Sequence, residues 1–158
     1  MKLMKPLKLL TGPALSLCML APLTPAFAAA AHGSADEAMA LAKKAVKYYK
    51  ANGREKALAE FNKANGEFVD RDLYITATGV DGVTVAHGAN PKLVGKSLME
   101  LKDVDGKAFI KSFVEVANTK GSGWVDYKWP NPVTKVIEQK SSYVEKVDNL
   151  VITCGIYK

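Results

Sequence analysis

The sequence has little cysteine and no long uninterrupted apolar run. Cysteine occurs at Cys18 and Cys154 in a chain of 158 residues. Cys18 lies in the N-terminal apolar stretch, and without that stretch Cys154 has no partner for an internal disulfide. The stability of the remaining chain must therefore come from its core. A content of 48% apolar and 24% charged residues is typical of a soluble globular protein, and the length fits one domain.

The sequence also lacks the common catalytic and metal-binding motifs. It contains no Gly-x-Ser-x-Gly, no His-Glu-x-x-His, no phosphate-binding glycine loop and no Cys-x-x-Cys-His. Its histidines are His32, in a flexible stretch, and His87, while Cys154 is flanked on its strand face by Ile152 and Ile156. One candidate histidine and one buried cysteine do not readily assemble a catalytic triad or a multi-ligand metal site. We predict a protein that is not an enzyme and has no metal and no cofactor.

The first 28 residues match the pattern of a secretory signal peptide. Three lysines begin it, a mostly apolar stretch runs from Leu9 to Leu23, and Ala26-Phe27-Ala28 is a small-x-small cleavage site. The alternative of an uncleaved membrane anchor needs about 20 uninterrupted apolar residues, whereas this stretch is shorter and contains two prolines. A lipoprotein attached through Cys18 is disfavoured because the bulky Leu17 precedes it. We predict export and cleavage after Ala28.

The net charge is small once the signal peptide is removed. The full chain has 22 basic and 16 acidic side chains, so the loss of three lysines and no acids leaves 19 basic side chains and a net charge near +3. Acidic residues are interspersed among the basic ones, as Asp103 is beside Lys102. Because a nucleic-acid-binding surface needs a basic patch or stripe, we predict no nucleic-acid partner.

The domain proper is predicted to begin at Ala35, after a flexible leader of small residues at 29–34. From Ala35 onward, apolar residues recur at intervals of three and four, which predicts an amphipathic helix. Ser34 is its predicted N-cap, and Glu37 completes a capping box. Asn52-Gly53 interrupts the pattern, which then resumes, so the helix is long or kinked.

Beyond this helix the hydrophobic period falls from about 3.6 to 2, the period of a strand. The predicted elements are strands at Leu73–Thr78 and Val83–His87, a helix at Phe109–Lys120, and strands at Gly123–Trp129, Val136–Val147 and Leu150–Tyr157. Consecutive hairpins predict an α+β fold in which helices cover a five-stranded antiparallel sheet. In the second strand, alternation places Val83, Val85 and His87 on one face.

Four ordered motifs resemble the single Cache domain family. They are Asp81-Gly82-x-x-x-Ala86-His87-Gly88-x-Asn90-Pro91-x-Leu93-Val94-Gly95-Lys96, Asp105-Gly106-Lys107, Gly123-Trp124-Val125-Asp126-Tyr127-x-Trp129-Pro130-Asn131-Pro132 and Lys140-Ser141-Ser142-Tyr143-Val144. The resemblance runs over residues 35–158. It implies a PAS-like fold, in which a long N-terminal helix packs on one face of a five-stranded antiparallel sheet and a pocket lies on the other. Cache domains are extracytoplasmic sensor modules, and members of this type are associated with small organic acids and similar metabolites.

The resemblance implies a periplasmic sensor for a small organic acid or a related metabolite. Family members in chemoreceptors and histidine kinases continue into a transmembrane helix and a cytoplasmic signalling region, whereas this sequence ends at Lys158. We therefore expect a free-standing module with no membrane span after signal cleavage. It would act in chemotaxis or other signal transduction through a separate membrane receptor or histidine kinase. The alternative is a non-catalytic interaction protein of the cell envelope that keeps the fold without a ligand.

A pocket for a small carboxylate needs a cation or several hydrogen-bond donors, an apolar wall and little water. The predicted ligand-binding residues are His87, Tyr127, Trp129, Lys140 and Tyr143. Alternation places Tyr127 and Trp129 on one strand face, opposite Trp124, so these two are expected to line the same cavity. His87 equally fits a hydrogen-bonded buried histidine without a ligand. Trp129 equally fits core packing, and a strand lysine such as Lys140 is more often solvated than buried.

Overall fold

The structure is a computed structural model that describes residues 32–158. The predicted signal peptide and the first three residues of the predicted leader, 29–31, lie outside the described residues. Across residues 32–158, no helix combines the length and the apolar character that crossing a membrane requires.

The described residues form an antiparallel sheet with helices on both faces. In chain order the elements are α1 (Ala35–Asn52), α2 (Arg54–Phe61), β1 (Val69–Asp70), β2 (Leu73–Gly79), β3 (Thr84–His87), a short 3-10 helix (Pro91–Leu93), α3 (Phe109–Lys120), β4 (Ser122–Pro130), β5 (Ile137–Val147) and β6 (Leu150–Tyr157). The predicted α+β fold with a long N-terminal helix is confirmed. The sheet of residues 32–158 has six strands because the short β1, of 2 residues, adds to the five predicted.

The predicted capping box at the start of α1 is present. The Ser34 hydroxyl accepts a hydrogen bond from the Glu37 backbone N–H, and the Glu37 carboxylate accepts one from the Ser34 backbone N–H at 2.7 Å. At the other end, Gly53 has a φ of 82°, a conformation that glycine adopts without a steric penalty. This residue separates α1 from α2 and accounts for the predicted kink.

The sheet order places β3 and β4 at opposite edges, although they follow one another in sequence. The order is β1-β2-β6-β5-β4, and β3 pairs with β2. The chain from β3 to β4 must therefore cross one face of the sheet, and it carries α3 with it. Helices α1 and α2 cover the other face, where Phe61, Ile75 and Ile152 belong to one buried cluster. On the α3 face, Phe113 and Val144 belong to a second.

Strand β3 contains a β-bulge that the sequence pattern did not predict. Its register with β2 pairs Thr76 with His87, Ala77 with Ala86, and Thr78 with Thr84. The extra residue is Val85, which packs against the α1 side of the core. A bulge of this kind reverses the alternation, so Thr84 and His87 share the α3 face. The prediction that Val83, Val85 and His87 lie on one face is therefore wrong.

Asp72, in the turn between β1 and β2, holds the beginning of α1. Its carboxylate is fully buried and accepts hydrogen bonds from Gly33 N at 2.7 Å and from His32 Nδ1 at 2.8 Å. Arg71 adds a hydrogen bond to the His32 carbonyl and an ion pair with Glu37. The described end of the predicted leader is thus bound to the domain from His32 onward.

We expect Asp72→Ala to lower the free energy of unfolding by about 1–3 kcal/mol, because the buried Gly33 N–H would lose its acceptor. Urea unfolding at neutral pH measures the change. His32→Ala is the matched control: it removes only the partner whose side chain is 47% exposed, so its loss should be smaller. Equal losses for the two variants would contradict this account of Asp72.

Candidate functional site

A small internal cavity lies between the sheet and α3. Its volume is about 30 Å³, which is room for roughly two water molecules at about 10–15 Å³ each. The polar residues on its wall are Tyr74, Thr76, Thr78, Thr84 and His87. The apolar wall includes Leu98, Phe109, Ile110, Phe113 and Trp129. The sheet therefore supplies the polar groups, and α3 with the loop before it supplies most of the apolar cover.

A more open cleft of about 230 Å³ adjoins this cavity. Both spaces are lined by Tyr74, His87 and Trp129. The cleft is completed by residues that follow β3, such as Asn90, and by the β4–β5 hairpin, including Lys135. The three shared rings thus lie between the cavity and the cleft.

His87 is held in the cavity wall as a neutral hydrogen-bond donor. Its Nδ1 accepts hydrogen bonds from the backbone N–H groups of Ala89 at 3.3 Å and Asn90 at 3.0 Å. A nitrogen that accepts cannot carry the proton, so the proton is on Nε2. Burial, aided by the nearby positive charge of Lys140, lowers the pKa of His87 to about 4. The ring stacks on Tyr74 with 5.2 Å between the centroids.

Lys140 places a buried amine behind the cavity wall, in contact with Tyr74, which lines the cavity. Its side chain is 1% exposed, and Nζ donates to Tyr74 Oη at 2.7 Å and to Tyr157 Oη at 3.0 Å. Nζ also lies 4.0 Å from the centroid of the Tyr74 ring. Among residues 32–158 its hydrogen-bond partners are these neutral phenols and no carboxylate. Burial accordingly lowers the pKa of Lys140 to about 7.

The phenol proton of Tyr157 has a defined direction. Tyr157 Oη donates to the Pro130 carbonyl at 2.9 Å and lies 3.2 Å from Tyr74 Oη. Because the Tyr157 proton is used in this way, the Tyr74 proton points either to Tyr157 or into the cavity. Burial raises the pKa of both tyrosines well above the ordinary value, so both stay protonated. Neither was predicted as a site residue, although Tyr157 lies directly opposite Lys140 in the β5–β6 register.

Gly155 makes the room that the Lys140 side chain occupies. A Cβ at this position would lie 2.5 Å from Lys140 Cε and 2.2 Å from Ser142 Oγ. Any larger residue would force one of these buried side chains to move. The glycine therefore supports the site, although it is not among the residues that line the cavity or the adjoining cleft.

Tyr127 and Trp129 lie in the cavity wall. Tyr127 stacks on Phe109 with 4.4 Å between the ring centroids, and Trp129 meets Phe109 edge-on at 5.2 Å. The Tyr127 hydroxyl is hydrogen-bonded to Ser142 Oγ at 3.0 Å, and burial raises its pKa well above the ordinary value. Both residues therefore contribute mainly apolar surface.

Tyr143 is not brought to the cavity. It lies in the buried cluster beneath α1 and contacts Trp124, with ring centroids 5.5 Å apart. The physical reason is strand alternation: Lys140 and Tyr143 are an odd number of residues apart on β5, so their side chains point to opposite faces. Of the predicted residues, the structure groups His87, Tyr127, Trp129 and Lys140. It adds Tyr74, Tyr157 and Thr84, which the sequence did not single out.

Comparison with known proteins points to one family. The family model described as single Cache domain 2 matches residues 28–158. The methyl-accepting chemotaxis protein McpP of Pseudomonas putida is 32% identical over 90 residues, which is 56% of this chain and 16% of that protein. The sensor histidine kinase MctS of Rhizobium johnstonii is 30% identical over 89 residues, which is 55% of this chain and 19% of that protein. The chain thus spans less than a fifth of the length of either relative.

Solved structures of similar fold come from chemosensory proteins. A methyl-accepting chemotaxis protein from Vibrio parahaemolyticus superposes with a TM-score of 0.68 at 24% identity, over 77% of this chain and 86% of that one. A Cache chemosensory domain, described in terms of carboxylic acid recognition, superposes with a TM-score of 0.65 at 26% identity, over 77% of this chain and 91% of that one. The structural neighbours therefore agree with the family match.

We expect the stability of the ligand-free protein to rise with pH in two windows. The pKa of His87 is about 4 in the folded protein against an ordinary 6.5, and that of Lys140 is about 7 against 10.5. Between each pair of values the unfolded chain binds more protons, so raising the pH favours the folded state. A full proton of difference changes the unfolding constant by about tenfold per pH unit.

Lys140→Met separates the two windows. Urea unfolding between pH 4 and pH 9 should show that this variant keeps the rise below pH 6.5, which belongs to His87, and loses the rise between pH 7 and pH 9. Lys146→Met is the matched control, because Lys146 is an exposed lysine on the same strand. A rise between pH 7 and pH 9 that survives in Lys140→Met would contradict the assignment.

Proposed function

Because the chain belongs to the single Cache domain 2 family, we propose that it is a sensor module that binds a small organic acid in the cavity between the sheet and α3. Cache sensor domains are non-catalytic ligand-binding modules, and we propose the same role here. The observation that carries the proposal is the Lys140 amine, buried in contact with phenols and with no carboxylate partner among residues 32–158.

An acid supplies what the Lys140 environment lacks. A buried ammonium is costly unless a charge or several hydrogen bonds compensate for its lost hydration. A carboxylate near Tyr74 would provide that charge in a region of low effective dielectric, where ionic hydrogen bonds are strong. The Nε2–H of His87 and the Tyr74 hydroxyl provide further donors to the same anion. Because His87 is neutral, the positive charge that would balance the acid belongs to Lys140.

The remaining wall suits a short carbon chain. Phe109, Tyr127 and Trp129 pack against one another beside the polar end, and apolar surface of this kind favours alkyl groups over water. The cavity alone has room for about two water molecules, so an acid of four or more heavy atoms would also occupy part of the adjoining cleft. The structural neighbour described in terms of carboxylic acid recognition supports the same ligand class.

We also propose that the module works in the periplasm and through a membrane signalling partner. The predicted signal peptide at residues 1–28 provides export, and the curated relatives are a chemotaxis protein and a sensor histidine kinase. The module would then report ligand occupancy to a membrane receptor or kinase through its surface.

Calorimetric titration with acetate and propionate, with 1-propanol as the uncharged comparison, tests the ligand class. We expect the acids to bind and the alcohol not to. Tyr74→Phe should weaken acid binding by about 10- to 100-fold, because it removes a hydrogen bond to a charged group from the cavity wall.

Tyr143→Phe is the matched control for Tyr74→Phe. The chemical change is the same and both residues are buried, but Tyr143 lies on the opposite face of the sheet, so its loss should leave the affinity unchanged. No binding of any acid by a protein that unfolds cooperatively would contradict the sensor proposal. That outcome would favour the alternative of an envelope interaction protein without a ligand.

A further inference from the structure

Thr84 contributes a buried hydroxyl that has no hydrogen-bond partner among residues 32–158. The residue is 2% exposed, its Oγ1 is unpaired, and it lines the cavity. Its backbone is fully engaged, since Thr84 N donates to Lys96 O at 2.9 Å and Thr84 O accepts from Gly95 N at 2.8 Å. Unpaired buried hydroxyls are uncommon in folded proteins and call for a physical explanation.

The neighbouring strand shows that the position is unusual. Thr76, also on the cavity wall, pairs its hydroxyl with that of Thr153 at 2.6 Å. Leu98, which also lines the cavity, directly follows Ser97, and Ser97 bridges to Val83, the residue before Thr84. Thr84 therefore lines the cavity and carries a hydroxyl that no described group pairs.

The bulge at Val85 sets the distance between this hydroxyl and the acid-binding end. Thr84 pairs with Thr78 and His87 with Thr76, so the two positions are two residues apart along β2. At about 3.3 Å per residue this is roughly 6–7 Å between their backbones. A short ligand whose carboxylate lies at His87 and Tyr74, with Lys140 behind Tyr74, would extend its chain toward Thr84.

We propose that Thr84 is a specificity-determining residue, whose hydroxyl binds a second oxygen on the carbon chain of the acid. The inference rests on the proposed function. A threonine hydroxyl both donates and accepts, so it fits an oxo group as well as a hydroxyl group. The preferred ligands are then short hydroxy or oxo acids, and plain alkanoic acids of the same length bind less tightly because they leave Oγ1 unpaired.

Titration of the full chain with lactate, pyruvate and propionate tests this preference at a constant length of three carbons. We expect at least one of the two oxygenated acids to bind about tenfold or more tightly than propionate. Thr84→Val should abolish that difference and leave propionate binding unchanged or tighter. Thr84→Ser, which keeps the hydroxyl, should retain the difference.

A ligand-free measurement distinguishes a binding role from a structural one. Valine has nearly the shape of threonine and also favours strands, and it removes a buried unpaired hydroxyl. The melting temperature of Thr84→Val without ligand should therefore equal or exceed that of the unmodified protein. A fall of several degrees would reveal a structural partner for the hydroxyl and overturn the inference.

The remaining outcomes separate the inference from the function on which it rests. Equal binding of propionate and the oxygenated acids by the unmodified protein would overturn the role of Thr84 and leave the acid sensor standing. An equal loss for all three acids in Thr84→Val would also overturn it, because the hydroxyl would then bind the carboxylate itself. Failure of the unmodified protein to bind any of the three would overturn both proposals.

Discussion

The burial of the Lys140 ammonium is the constraint on which the rest of the site depends. An enclosed cation without a carboxylate partner is costly, and within the described chain it is stabilised by the phenol oxygens of Tyr74 and Tyr157. These three residues come from β5, β2 and β6, so the cluster forms only when the sheet order is correct. It also depends on Gly155, whose neighbourhood has no room for a Cβ. The most polar part of the α3 face is thus tied to the topology of the sheet.

The two faces of the sheet have different roles. Beneath α1, the small residues Ala38, Ala42 and Ala45 are fully buried, which allows the helix to pack closely on the strands. The face under α3 instead keeps a cavity, a buried amine and the unpaired hydroxyl of Thr84. Cavities and unpaired polar groups reduce stability, so the close packing beneath α1 offsets what the α3 face loses. Such costs are usual at functional sites.

The sequence was enough to predict the elements but only part of the site. The capping box of Ser34 and Glu37, the strand periods and the family resemblance lead to the correct fold, because each depends on local pattern or on motifs in order. The bulge at Val85 depends on how β3 pairs with β2, and no local pattern in β3 reveals that pairing. For this reason the sequence did not place Thr84 on the α3 face. The Lys140 environment was also hidden, since its tyrosines are distant in sequence. Tyr143 could have been placed correctly by counting alternation from Lys140.

The charges of the cavity limit the kind of acid that fits the proposed function. Lys140 and His87 share one small buried region, and the positive charge of the first helps to keep the second neutral at physiological pH. At this end, the described residues therefore present neutral donors and one amine, Lys140, that takes a positive charge when it is protonated. A single carboxylate balances that cation, whereas a second carboxylate in the same cavity would be buried without a partner and would lose its hydration. The charge balance consequently favours a short monocarboxylate, which keeps the far end of the ligand uncharged where it faces Thr84 and the apolar cover.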